Sequence, residues 1–560
     1  MRRALLVVAV ALAAAALAPG AMAAQQAPPF AELPDSVAER VVAFHNAPGT
    51  IRLTGETLVP AGSEIAGPVS VLGGPVTLAG RIEGHLVVIN GDLRVLPGGF
   101  VSGTATVVGG TLEGAEGAAG GALSHYREPL RFRHQGGGIV YVPPVEVELS
   151  AGREFGFGRT DVLVAVRGAY NRVEGLPVSV GPRVWLGRSN PTFLEALLIY
   201  RSSSGLRLDF DQVGYTVRAE QYVGGGRTAR IGLRAYSEVT PIEQWGLTDR
   251  ENSLATFLLH RDYRDAYERE GHAAYLRFAR PGWPHDVTIE YREEQHRLVA
   301  PASPWSLFDN EEAWRPQPVI AGGKLRSVTG RVVYDTRNDA ADPSTGWHVL
   351  AQVEQGLGGR LAQPAGTVVA GDPAELEDQS RERFTAGLLD LRRYLRLGPD
   401  SRLGLRFVAA GSLDGSALPP QRQQALGGEG SLPGYPLFAF DCGARATQVE
   451  VQGERFFPYY GCDRLALAQL EYQGAFPWAS SLGQPIGIDL SQMMRWVVFF
   501  DTGRAWTEDD ARGGRLPGDA GFSADAGIGL RVGRVGAYWA VPLSGGGQGI
   551  NFFIRIGRRL

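Results

Sequence analysis

Few residues of this 560-residue chain have the types and spacing that a catalytic or metal site requires. The nine histidines form no H-E-x-x-H pair, no Cys/His cluster has metal-ligand spacing, and no G-x-S-x-G sequence occurs. Gly427-Gly428-Glu429-Gly430 lacks the Lys-Ser/Thr of a phosphate-binding loop, so we interpret it as loop glycine. The sequence predicts no enzyme, no catalytic residue, no metal and no cofactor.

Two groups of charged residues invite a functional interpretation. Asp335, Asp339 and Asp342 have oxygen ligands that suit calcium, but Asn338 and Pro343 mark a turn, so turn-capping carboxylates are the better explanation. The charged run from His260 to Glu270 is most simply a solvated loop. A net charge of −4 gives no indication of nucleic-acid binding.

The hairpin from Arg326 to Gln355 shows which element must position the remaining charges. Its residues alternate with a period of two, giving one apolar face and one mostly polar face with a charge, Arg331, in mid-strand. In a soluble sandwich the apolar face would form the core. In an outer-membrane barrel the apolar face would meet lipid and the charges would line the lumen.

The stretch Trp496–Trp506 favours the barrel. Trp496, Val498, Phe500 and Trp506 share one face, and Val497, Phe499, Asp501 and Gly503 share the other. Ten residue steps at about 3.3 Å, tilted by about 40°, give roughly 25 Å of height, close to the apolar band of such barrels. We therefore expect Trp496, Trp506 and Trp347 in aromatic girdles and Asp501 in the lumen.

Export is the second requirement for a barrel of this kind. Met1–Ala23 has two arginines, an apolar run and an Ala-Met-Ala site, which predicts a cleaved secretory signal; an uncleaved anchor helix is the alternative. No later stretch has 18 consecutive apolar residues, so membrane crossing requires a closed barrel. The alternating candidates, which include Leu254–His260, suit about 16 strands, with Phe552, Ile554, Ile556 and Leu560 on one face of a closing strand.

A glycine-punctuated repeat precedes the barrel. Residues 64–74, 81–91 and 100–110 align, with Gly67, Gly84 and Gly103 matched and Gly74, Gly91 and Gly110 matched. Short β runs at a near-fixed period predict a small β-solenoid, and a plain three-hairpin module is the alternative.

The predicted architecture is all-β, with a transmembrane antiparallel β-barrel of about 16 strands preceded by a small periplasmic β-solenoid. Its boundaries are a signal peptide at 1–23, a linker at 24–48 with a short helix over Ser36–Phe44, the repeat at 49–114, a connector at 115–165 and the barrel at 166–560. Cys442 and Cys462 lie in one long loop region, and export permits a disulfide between them; two free thiols are the alternative.

Four stretches carry a family resemblance. Tyr334–Asn338 with Pro343 and Gly346 looks like a turn signature with Asp335 and Arg337 as its D-x-R, Leu426–Tyr435 looks like the entry to an inward-folded loop, and Val497–Trp506 and Gly527–Arg531 look like late-strand motifs. In this order they resemble the BamA/TamA-like assembly barrels of the bacterial surface antigen family. The repeat resembles bactofilin-like polymer-forming β-helices.

The resemblance implies a function at the outer membrane, namely insertion or translocation of proteins or other envelope components through a seam between the first and last strands. Asp501 and Arg331, with Asp335, would order the long loop around Gly434 and Tyr435. The implied partners are outer-membrane lipids and client outer-membrane or secreted proteins. A structural tether or a passive pore is the alternative.

Three departures from the family pattern stand out. Pro433 occupies the place of the loop arginine that pairs with a lumen carboxylate in the family, which leaves Asp501 without that partner. A β repeat replaces the POTRA domains, and Leu560 stands where an aromatic residue is usual.

Overall fold

The structure, a computed structural model, describes most of the chain. The described residues are 33, 35–114, 117–126, 129–130, 132–135, 138–141, 147–155, 158–166, 168–187, 190–204, 213–224, 229–243, 245–279, 285–308, 311–337, 343–364, 366–370, 382–398, 401–440, 442, 448–457, 461–476, 494–507, 521–533, 535–545, 549–556 and 558–560. The predicted signal at Met1–Ala23 lies outside them. Within them, no helix is long and apolar enough to cross a membrane.

The repeat forms a three-sided solenoid in which every strand pairs in parallel with the equivalent strand of the next coil. The first side contains β1 (Ile51–Thr54), β4 (Val69–Leu72), β7 (Leu86–Ile89), β10 (Ala105–Val108) and β12 (Leu123–Tyr126). The second contains β2 (Thr57–Val59), β5 (Val76–Leu78), β8 (Leu93–Val95) and β11 (Leu112–Glu113), and the third contains β3 (Glu64–Ala66), β6 (Arg81–Glu83) and β9 (Phe100–Val101). The predicted solenoid is confirmed, and it extends past the three aligned copies to about four coils.

Steric packing between coils explains the repeated glycines. A Cβ at Gly91 would lie 2.0 Å from the carbonyl oxygen of Gly74, and one at Gly110 would lie 2.1 Å from that of Gly91. The coils therefore approach so closely at this corner that only glycine fits. Inside, valine, leucine and isoleucine from all three sides form one apolar core.

A helix and a hairpin cover one side of the solenoid. Helix α1 (Asp35–Asn46) packs Val37, Ala38 and Val41 against the outer face of the first side, and the predicted Ser36–Phe44 helix lies within it. The hairpin consists of β13 (Phe132–Gln135) and β14 (Gly138–Tyr141), and the Asn46 side chain bonds both backbone groups of Ile139.

Within the described part of the chain, seventeen strands form one antiparallel sheet, and each pairs with its neighbour in order along the chain. They are β15 (Val147–Phe155), β16 (Gly158–Val166), β17 (Pro177–Leu186), β18 (Thr192–Arg201), β19 (Gly214–Val223), β20 (Ala229–Pro241), β21 (Ala266–Ala279), β22 (His285–Arg297), β24 (Gly322–Asp335), β25 (Gly346–Ala362), β27 (Thr385–Arg396), β28 (Arg402–Ser412), β31 (Arg464–Ala475), β32 (Met494–Trp506), β33 (Ser523–Val532), β34 (Val535–Pro542) and β35 (Asn551–Ile556). The sheet begins at Val147, inside the stretch assigned to the connector.

Smaller elements lie in the connections. A four-stranded sheet contains β23 (Gln317–Pro318), β26 (Thr367–Ala370), β29 (Gln448–Val451) and β30 (Glu454–Phe457). Helix α2 (Asp249–Leu259) lies between β20 and β21, with short 3₁₀ turns at Ser202–Ser204 and Pro420–Arg422.

The prediction of a strand at Leu254–His260 is wrong, because α2 occupies this stretch. The helix begins with a capping box in which Thr248 and Glu251 satisfy each other's backbone amides. The solvated-loop interpretation of His260–Glu270 is also wrong. Asp262 and Asp265 are buried, and both pair with the buried guanidinium of Arg172 at 3.2 and 2.6 Å.

The two faces of the large sheet have the polarity of a membrane barrel. In β32, Val498 and Phe500 are each 42% exposed, whereas Val497 and Phe499 are 1% exposed and Asp501 is fully buried. Buried charges recur on the inner face of other strands, among them Glu195, Glu220, Glu294, Glu354, Asp390, Arg406, Glu471 and Asp525. A soluble sandwich would show the reverse arrangement, so the sheet fits the barrel alternative.

The closing strand is shorter than expected. Phe552, Ile554 and Ile556 do share an exposed face, but β35 ends at Ile556. Leu560 is buried, beside Gly404 of β28, so the expectation that it continues the outer face is wrong.

We expect Gly91→Ala to loosen the solenoid, because its new methyl group would meet the Gly74 carbonyl. Overpacking of this kind costs about 1–3 kcal/mol, so hydrogen exchange in β4, β7 and β10 should accelerate. Arg94→Ala, on the exposed surface of β8, is the matched control and should leave exchange unchanged. Equal exchange in both variants would contradict the steric account.

Candidate functional site

The long connection between β28 and β31 folds onto the inner face of the large sheet. Its residues Leu426, Leu432, Tyr435 and Phe440 form a buried cluster with Trp245. The inner-face residues Val408, Leu465, Leu467 and Ala505 belong to the same cluster, as does Cys462. We call residues 419–440 the inner loop.

The loop tip at Gly434 is fastened to the last three strands. The Gly434 amide donates to the Asp525 carboxylate at 2.6 Å, and a Cβ there would lie 2.7 Å from the Asp525 Cβ. The Tyr435 hydroxyl lies 3.1 Å from the carbonyl oxygen of Ala524 and accepts from the Ser544 amide at 3.2 Å. Asn551 in β35 donates to the Pro433 carbonyl at 2.8 Å. The tip is thus held mainly through backbone groups.

Arg422 fastens the start of the inner loop. Its guanidinium donates to both carboxylate oxygens of Glu354 in β25, at 2.7 and 3.1 Å, and to the Tyr267 hydroxyl in β21 at 2.8 Å. Gln421 bonds the backbone of Ala321 at both its N–H and its carbonyl. The loop therefore contacts both halves of the sheet.

Asp501 has a partner that the sequence analysis did not identify. Its two carboxylate oxygens accept from the Arg559 guanidinium at 2.5 and 2.9 Å, and all these groups are buried. The same guanidinium lies 3.2 Å from Glu471 and sits over the Phe499 ring at 3.9 Å. An arginine from the last three residues thus supplies the charge that Pro433 cannot.

A second buried ion pair joins helix α2 and the inner loop to β35. Glu251 of α2 accepts from Arg555 at 2.5 Å and from the Ile556 amide at 3.2 Å, and Arg555 also donates to the Glu429 carbonyl at 3.0 Å. Burial opposes ionisation of Glu251, but the charge of Arg555 holds its pKa below the usual value. Burial raises the pKa of Glu429, whose carboxylate accepts from the Tyr263 hydroxyl at 2.8 Å.

Arg331 and Asp335 lie away from the inner loop. Arg331 is in β24, opposite Thr288 and Gln352, and no hydrogen bond or ion pair among the described residues joins it to the loop. Asp335 ends the same strand and pairs with Arg337 at 2.9 and 2.6 Å. The structure therefore does not bring these two residues together with Asp501, Gly434 and Tyr435.

The described residues of the predicted turn signature lie at the two ends of the connection between β24 and β25. Gly346 has φ +106°, and a Cβ there would lie 2.2 Å from the Thr336 carbonyl oxygen, which explains the glycine. Arg558 donates to the Pro343 carbonyl, so the last residues reach this turn as well. Asp339 and Asp342, candidates for turn capping, lie outside the described residues.

The tryptophans and cysteines occupy distinct places. Trp496 and Trp506 lie at opposite ends of β32, and Trp347 lies at the start of β25, where Arg393 covers its ring at 4.9 Å. Their girdle role stays a prediction. The sulfurs of Cys442 and Cys462 are 2.07 Å apart in a disulfide that joins the residues just after the inner loop to those just before β31.

Comparisons with known proteins decide the family. The model of the Omp85 superfamily domain matches residues 246–544, a segment that contains the inner loop, Asp501 and Asp525. The chain belongs to the Omp85 superfamily. It is an outer-membrane β-barrel of the Omp85 type with a β-helix segment, which confirms the predicted resemblance and fold class.

The solved structures that are similar to this Omp85 chain share little of its sequence. BamA from Haemophilus ducreyi, in a form lacking POTRA domains 1–3, is 14% identical over 74% of this chain and 75% of its own, with a TM-score of 0.41. CdiB from Escherichia coli is 12% identical over 77% of this chain and 67% of its own, with a TM-score of 0.33. No curated protein matches the sequence.

Sequence reasoning missed Arg559, Asp525 and Glu251. A lone carboxylate within an apolar alternating strand was the signal that selected Asp501, and Asp525 in Ala524-Asp525-Ala526 carries the same signal. A sequence signal also existed for Glu251, because Thr248-x-x-Glu251 has the spacing of a capping box, which predicts the start of a helix. The contact of Arg559 had no local signal, because it depends on how the chain turns after β35.

We expect Gly434→Ala to displace the tip of the inner loop, since the added methyl group would meet Asp525 and the backbone of Pro542. Loss of the buried hydrogen bond should cost about 1–3 kcal/mol and make the loop more sensitive to protease in nanodiscs. Gly330→Ala, whose added Cβ has no neighbour within 4 Å, is the control. A loop equally protected in Gly434→Ala would contradict the anchoring of the tip.

Proposed function

We propose that this Omp85 chain assists the insertion or translocation of proteins at the outer membrane. The observation that carries the proposal is the arrangement of the sheet ends: β15 pairs only with β16 and β35 only with β34 in the ladders of the described residues. Edge strands offer unpaired N–H and C=O groups to which an extended client segment can add. The proposal assigns no catalytic reaction to the chain.

The position of the inner loop supports this proposal. Its tip is bonded to β33 and β35, and Arg555 of β35 contacts Glu429 of the loop. A movement of β35 would therefore displace the inner loop directly. We propose that client binding at β35 is linked in this way to the opening of the lumen.

The solenoid is proposed to lie on the periplasmic side, where it would take the place of POTRA domains. The Tyr126 hydroxyl donates to the Arg337 carbonyl at 3.2 Å, and Glu39 of α1 pairs with Arg230 at the start of β20 at 2.8 Å. Both barrel residues lie at or next to strand ends, so the solenoid is docked on that rim. These contacts support the proposal that the solenoid is held in a fixed position against the barrel.

Site-specific photocrosslinking tests the proposed edge. A photoreactive residue at Ile554, which is exposed on β35, should crosslink to newly exported outer-membrane proteins in living cells. Val353 has a similar exposed side chain on β25, in the middle of the sheet, and is the control that should not crosslink. Equal crosslinking at both positions would contradict a role for the edge.

Quantitative outer-membrane proteomics after depletion tests the function itself. A broad fall in barrel proteins is expected for a general assembly role, and loss of one or two proteins for a dedicated exporter. An unchanged proteome would overturn the proposal in favour of a structural tether or pore.

A further inference from the structure

The last three residues leave the line of β35 and enter the interior of the barrel. Arg558 reaches the β24–β25 turn, Leu560 packs beside Gly404 of β28, and Arg559 lies between Asp501 and Glu471. All three residues contact parts of the chain outside β35. We call Arg558–Leu560 the tail.

The tail supplies positive charge to a cluster of three buried carboxylates. Glu471, Asp501 and Asp525 lie on the adjacent strands β31, β32 and β33, and Asp501 is directly opposite Asp525 in the strand register. Carboxylates this close in a buried site repel one another unless a cation neutralises them. Arg559 bonds two of them, and the third accepts from the amide of Gly434.

The same cluster therefore joins the tail to the inner loop. With Arg559 present, Asp525 is free to face the loop tip, because Asp501 and Glu471 have a partner of their own. Without it, repulsion within the cluster would displace Asp525 or bring water in, and either change breaks the bond to Gly434.

We infer that the tail is an internal latch: Arg559 keeps the inner loop seated by neutralising the carboxylate cluster on which the loop tip rests. The latch concerns the seating of the loop and not the identity of a client, so it stands or fails separately from the proposed function. Arg558 and the solenoid residue Tyr126 both bond to the connection between β24 and β25, so this connection joins the latch to the solenoid.

The rate of thiol labelling of the loop tests the latch. Ser431 is 4% exposed in the inner loop, so Ser431→Cys places a probe there that should react slowly with maleimide in full-length protein in nanodiscs. In that background, Arg559→Gln should raise the labelling rate at least about tenfold, because an uncompensated buried charge favours opening. Arg504→Gln is the matched control, since it removes one positive charge from β32 at a side chain that lies over the Trp506 ring, outside the carboxylate cluster.

A rescue variant separates charge from packing. Asp501→Asn combined with Arg559→Gln removes both charges of the pair, and labelling should return towards the starting rate. Wild-type labelling in Arg559→Gln, equal acceleration by Arg504→Gln, or absence of rescue would each overturn the latch. If Arg559→Gln does not assemble, Arg559→Lys replaces it: one ammonium group cannot keep the paired hydrogen bonds to Asp501 together with the contact to Glu471, so labelling should accelerate. An unchanged rate in Arg559→Lys would overturn the inference.

Discussion

The interior of this barrel is organised by the need to compensate carboxylates that are withdrawn from water. Asp501, Asp525 and Glu471 face inward on neighbouring strands, where an unpaired ionised group would cost several kcal/mol. Each obtains a partner from a segment outside the sheet, namely the tail or the inner loop. The positions of both segments therefore follow from the same electrostatic demand.

Contacts at the connection between β24 and β25 link the solenoid to the barrel. The Asp335–Arg337 pair lies at the start of this connection, the solenoid bonds to the Arg337 carbonyl, and the tail bonds to the Pro343 carbonyl. A residue pattern that marks the turn in sequence is thus a docking point in the structure. This explains why a turn signature can matter in a chain whose N-terminal module is a solenoid.

Local sequence patterns account for most of the correctly predicted fold. The features that the sequence did not predict depend on contacts between residues far apart in the chain. Alternation in β32 placed Phe500 outside and Asp501 inside, and matched glycines such as Gly91 fixed the coil corners, because each depends on nearest neighbours only. Leu254, Phe257 and Leu258 were read as part of a strand because a short apolar run does not distinguish strand from helix. Arg559 lies 58 residues from its partner Asp501, and no local pattern specifies that meeting.

The disulfide between Cys442 and Cys462 has a consequence for the order of maturation. The two cysteines are 20 residues apart and close the return path from the inner loop to β31. Thiols of this kind oxidise after a chain leaves the reducing cytosol. The β29–β30 hairpin, which lies between the two cysteines, can therefore be covalently closed before the strands of the barrel have joined, so the redox state of the envelope acts upstream of the finished fold.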